Sequence, residues 1–184
     1  FQAWFLVALT TVANAAEVAT DSKPLIAPPA SWVKPHFFDR KPTRLATDPS
    51  ADQHWLLIEH QVNAATNESF HHYIRQIMSV SGVQNGSTLK MDYNPSYQSL
   101  TLHWARLWRG TNHLEQLAPD KIRVVRQERD LDDDLLNGEQ TAVLVMDAVR
   151  VGDIVDYAYS TQGENPVFNG RFYGAVMLQF DEPV

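Results

Sequence analysis

The chain has 184 residues, 44% of them hydrophobic and 10% aromatic, with a net charge of −7 and no cysteine. The acidic balance argues against nucleic acid or an anionic membrane surface as partner, since either needs a basic face. The absence of thiols excludes disulfides, thiolate zinc sites and a cysteine nucleophile within these residues.

Residues 1–15 read as an export signal that begins part-way through, because Phe1 to Val12 is apolar and Ala13-Asn14-Ala15 has the small-x-small form of a cleavage site. The apolar run falls short of the roughly 20 residues that span a bilayer. The mature chain is therefore expected to carry no transmembrane segment and to reside in the periplasm, the cell envelope or the medium. Residues 16–50 form a linker in which Pro24, Pro28, Pro29, Pro35, Pro42 and Pro49 block helix and central strand. Trp32, Phe37 and Phe38 are apolar for a linker and are expected to fold back onto the domain.

From His54 the pattern becomes that of β-strands. Leu56, Ile58 and Val62 are expected on one face, with Glu59, Gln61 and Asn63 on the other. Phe70, Ile74, Met78 and Val80 continue a second strand, and Gln84 to Ser87 reads as a hairpin or loop. Leu100, Leu102 and Trp104 alternate before Gly110, a short strand fits Leu114 to Ala118, and Lys121 onward alternates weakly. The run TAVLVMDAV is apolar on both faces, as suits a central strand. Gly152-Asp153 makes a tight turn, after which Val155, Tyr157 and Tyr159 share one face and Ile154, Asp156, Ala158 and Ser160 the other. Asn165-Pro166 ends that strand, Asn169-Gly170 signals a hairpin, and Phe172, Val176, Leu178 and Phe180 restart the alternation. About eight to ten short strands, with no clear amphipathic helix, predict an antiparallel β-sandwich over residues 51–184.

Four segments in order, PPASWVKP, YNPSYQSLTLHWARLWRG, LNGEQTAVLVMDAVRVGD and VRVGDIVDYAY with GENPVFNGRF, resemble the bacterial domain of unknown function found N-terminal to transglutaminase-like domains in exported proteins. The resemblance implies an immunoglobulin-like sandwich and a following domain with a Cys-His-Asp triad in the same polypeptide.

Chemistry is sparse. His54 and His60 would share a strand face but stand roughly 20 Å apart, and adjacent His71 and His72 point to opposite faces, so neither pair closes on one metal ion. Asp130, Asp132 and Asp134 begin a calcium-loop spacing, but its sixth and twelfth positions hold Leu135 and Thr141 rather than Gly and Glu. No nucleophile elbow and no phosphate-cradling glycine loop is present. Neither a metal nor another cofactor is expected. The aromatics Tyr93, Tyr97, Trp104 and Trp108 are the candidates for a platform that stacks on a glycan or holds a peptide. Trp104 would otherwise belong to the core, since it continues the Leu100-Leu102 face. Asn165 and Arg171 are left without a strong structural role. The expected function is that of a non-catalytic accessory domain ahead of the transglutaminase-like one. The alternative is an autonomous glycan- or peptide-binding module of the envelope.

Overall fold

The computed structural model describes residues 23–36, 51–126, 138–169 and 171–172. The expected export signal, Phe37-Phe38, the Asp130 to Asp134 stretch and the expected alternation beyond Phe172 lie outside the described residues. The described residues form an antiparallel β-sandwich, as the alternation predicts. Its strands are β1 (Leu25–Ile26), β2 (Gln53–Asn63), β3 (Glu68–Ile77), β4 (Thr88–Tyr93), β5 (Ser99–Arg109), β6 (Asn112–Glu115), β7 (Ile122–Arg126), β8 (Gln140–Val145) and β9 (Ile154–Gln162). The larger sheet runs β1-β5-β9-β3-β2, with β6 also paired to β5, and the smaller runs β4-β8-β7. All pairs are antiparallel except β1 with β5. The TAVLVMDAV run supplies β8, the central strand of the smaller sheet.

The face of the larger sheet that meets the smaller one, here the inner face, carries Ile77, Leu102, Ala105, Leu107, Val155 and Tyr157. These pack with Leu89, Met91, Tyr93, Ala142 and Leu144 from β4 and β8. Leu107, Val155 and Leu144 are fully buried, and each such side chain contributes about 1.5–3 kcal/mol. The outer face has a second apolar cluster, in which Val33, Phe70 and Ala158 pack with Ala30, Trp32 and Trp104. The proline-rich lead-in thus lies across the outer face, and Trp32 folds back onto the domain as its apolarity suggests. Its indole N–H donates to Glu68 Oε2 at 2.7 Å. Among the described residues no helix is long and apolar enough to cross a membrane.

Three local expectations need correction. Val80 does not continue β3, and Gln84 to Ser87 is not a hairpin; Val80–Gly86 is a helix, α1. Ser79 caps it, its hydroxyl oxygen accepting from the Gly82 amide at 2.9 Å, while the Asp52 carboxylate accepts from the hydroxyls of Ser79 and Ser81. Two turns of helix are too short for a period to register in the sequence. On β2, Ile58 and Val62 share a face as expected, but an irregularity between Trp55 and Leu57 interrupts the register at Leu56. On β5 a bulge between Leu102 and Trp104 shifts the register by one residue. Leu100 and Leu102 face the inner core, and after the bulge Ala105 and Leu107 do so in turn. Trp104 therefore leaves the Leu100-Leu102 face and joins the outer cluster.

Gly163 follows β9 with φ of +118°, and a β-carbon there would fall onto the Tyr97 carbonyl oxygen. Gly163→Ala is expected to destabilise the domain by about 3 kcal/mol, since backbone strain and a clash with backbone combine. Thermal unfolding checks this; a melting temperature equal to wild type would show that the β9 exit is not held against the turn at Tyr97.

Candidate functional site

On the outer face, strand register sets charged side chains beside one another. Glu59 on β2 lies opposite His72 on β3, and His72 lies opposite Ala158 on β9, one pleat from Asp156. His72 Nδ1 is 3.1 Å from Glu59 Oε2, and its Nε2 is 3.0 Å from Asp156 Oδ1. Carboxylates only accept, so both contacts are hydrogen bonds when each ring nitrogen carries a proton. The unit places one imidazole ring between two carboxylates. Glu59, His72 and Asp156 are each less than 8% exposed.

The surroundings complete these bonds. Trp104 Nε1 donates to Asp156 Oδ1 at 2.7 Å, and Trp108 Nε1 to Oδ2 at 3.2 Å. Glu59 accepts from the His36 amide at 3.2 Å and from Gln61 Nε2 at 2.8 Å, and His36 Nδ1 lies 2.7 Å from it. Burial works to raise the Asp156 carboxyl, but the bonds from His72 and the indoles outweigh it and hold the group below its usual range. At Glu59, burial is likewise outweighed by the bonds from His36, Gln61 and His72. A cavity of about 580 Å³ lies against this cluster, between the lead-in prolines and His72, His103, Trp104 and Asp156.

A second polar pair lies on the same face. His103 Nδ1 is 2.8 Å from the Ala27 carbonyl, which makes Nδ1 the donor and leaves Nε2 to accept from Ser160 Oγ at 2.9 Å. This is the spacing of a nucleophile and its base. Ser160, however, is 3% exposed and sits on the strand flanked by both β3 and β5. A hydroxyl so enclosed has no room for a substrate carbonyl or for oxyanion donors beside it. The pair fixes the lead-in to the sheet. Similarly, neither carboxylate of the larger cluster suits general acid–base work, since both are held ionised and are weak bases. Among the described residues, no group of three or more His, Asp or Glu side chains is placed to hold a metal ion.

The sequence-derived candidates do not form one surface. Tyr93 is 3% exposed in the inner core, with its hydroxyl donating to Gln140 Oε1 at 3.3 Å. Trp104 and Trp108 are on the opposite side of the larger sheet, with Arg106 between them and its guanidinium 5.4 Å from the Trp104 ring. Tyr97 belongs to the turn after Asn94, its amide donating to the Asn94 carbonyl at 3.2 Å. Asn165 does have a structural role, its side-chain oxygen accepting from the Val167 amide at 3.1 Å. Arg171 is exposed and its amide donates to the Phe168 carbonyl at 3.1 Å. Sequence reasoning missed Glu59, His72 and Asp156. The available signal was Asp156 itself, a charge on the Ile154-Ala158 face of an otherwise apolar strand, which demands buried partners.

Residues 63–184 match a family described as a domain of unknown function with solved structure, DUF3857. No curated protein matches the sequence significantly. A solved structure named as a "putative protease" from Parabacteroides distasonis is similar at 15% identity with a TM-score of 0.47, covering 53% of this chain. This chain spans 19% of that protein's length.

The lowered Asp156 carboxyl contributes stability that is complete above its ordinary value of 3.8 and is lost as pH falls through its lower folded value. Asp156→Asn is expected to cost about 3 kcal/mol at pH 7, because it leaves His72 and two indoles short of an ionised acceptor. It should also flatten the fall in melting temperature below pH 3.8. Melting curves of both proteins from pH 7 to pH 2 measure the two effects; parallel curves would mean that the carboxylate carries no linked stability.

Proposed function

We propose, for a chain that belongs to the DUF3857 family of domains of unknown function, that it is a non-catalytic accessory domain of an exported bacterial protein, preceding a transglutaminase-like domain. The carrying observation is how the polar side chains of the outer face are used. Glu59, Gln61, Glu68 and His103 each bond a residue of the lead-in, namely His36, Lys34, Trp32 and Ala27. His72 and Asp156 bond their neighbours in the sheet. The groups most capable of chemistry are thus committed to clamping the chain that leads into the domain.

In this reading the sandwich is a rigid seat. It fixes the direction of the export-side segment and carries the following domain at a set distance from it. The thiol of that domain's Cys-His-Asp triad lies outside these residues, which contain no cysteine, and peptide or amide processing is its work. The apolar run ending at Ala13-Asn14-Ala15 supports export.

The full-length protein and residues 16–184 alone should be assayed for amine or ammonia release from glutamine-containing and cell-wall peptides. Activity is expected only in the full-length protein, and substitution of the downstream cysteine should abolish it. Turnover by residues 16–184 alone, or a full coding sequence lacking the Cys, His, Asp order, would overturn the reading.

A further inference from the structure

Six of the seven histidines divide by what their rings touch. His36, His72, His103 and His113 each have a ring nitrogen within about 3 Å of a carboxylate or carbonyl oxygen. His60 and His71 are engaged through their ring faces instead. They are also the two that strand register brings face to face. His60 on β2 lies directly opposite His71 on β3, with ring centroids 4.3 Å apart and planes 17° from parallel. Tyr159 on β9 continues the stack, 4.8 Å beyond His71.

This stack lies on the inner face beside β2. The inner core cluster includes no residue of β2, and on that strand His60 is exposed and Val62 is 41% exposed. One end of the stack is therefore open to solvent, and the other is braced by Tyr159.

We propose that His60 and His71 together form a two-imidazole chelate for a divalent transition metal ion, with Cu²⁺ or Zn²⁺ as the fitting class. Imidazole nitrogen suits these ions, and for a given site Cu²⁺ binds tightest. Bonds of about 2.0–2.1 Å from each nitrogen require the two donors to stand about 3.3 Å apart in a tetrahedral arrangement. Facing rings 4.3 Å apart reach that separation when the free edges tip towards one another by rotation about χ2. Water completes the coordination, since no third ligating side chain converges there.

The test uses the untagged chain, titrated with Cu²⁺ and with Zn²⁺ alone in a non-coordinating buffer by calorimetry. One ion per chain is expected, with Cu²⁺ the tighter. His71→Phe keeps a ring between His60 and Tyr159, so its melting temperature should stay near wild type while Cu²⁺ affinity falls at least tenfold. His60→Ala should lose the same affinity, and His54→Ala and His113→Ala should not. The spin-resonance spectrum of the Cu²⁺ complex should show two coordinated nitrogens. Absence of one-to-one binding, affinity that survives His71→Phe, or affinity lost with His54 or His113 would each overturn the proposal.

Discussion

The central polar cluster of the outer face follows from one requirement, that the carboxylate of Asp156 be satisfied in the middle of the larger sheet. An ionised carboxylate removed from water costs several kcal/mol unless paired and hydrogen-bonded. Asp156 is 2% exposed, so it draws His72 from one neighbouring strand and the Trp104 and Trp108 indoles from the other. His72 then needs a second acceptor, which Glu59 provides two strands away. Glu59 in turn binds the lead-in through His36. One buried charge therefore links four strands of chain and the segment that precedes the domain.

That chain of bonds depends on the bulge in β5. Were β5 to alternate regularly through Leu102, His103 and Trp104, with no bulge, the two indoles would fall on the inner face and Asp156 would lose both donors. Because the side-chain period of a strand is two, a single inserted residue moves every later side chain to the other face. Leu100, Leu102, Ala105 and Leu107 fill the inner core while Trp104, Arg106 and Trp108 serve the outer face, all from one strand. This is also why an aromatic surface joining Tyr93 to Trp104 does not exist. The larger sheet lies between them.

The two faces use their polar groups differently. Outside, Glu59, His72 and Asp156 bond one another in series and Glu59 bonds the lead-in, which favours rigidity over reactivity. Inside, beside β2, His60 and His71 are stacked as rings, and His60 is exposed. The first arrangement ties the lead-in to the sheet. The second leaves one end of a ring stack exposed.

Much of the fold was legible in the sequence. Alternation in IVDYAYS correctly divides Val155, Tyr157 and Tyr159 from Asp156, Ala158 and Ser160, and the Asp153 carboxylate accepts from the Arg150 amide at 2.8 Å, as the Gly-Asp turn suggests. The apolar run of β8 likewise marks its central place. These features are local, set by backbone preference and a period of two. Local pattern was thus enough for the class of fold, for the Gly-Asp turn and for the faces of an uninterrupted strand. Which strands are neighbours, where a bulge reverses the faces, and hence that Glu59 meets His72, His72 meets Asp156 and His60 meets His71, came from the folded arrangement alone. Those partners are separated along the chain by 13 and 84 residues in the outer cluster, and pairing over such distances depends on register and closure that no local pattern encodes.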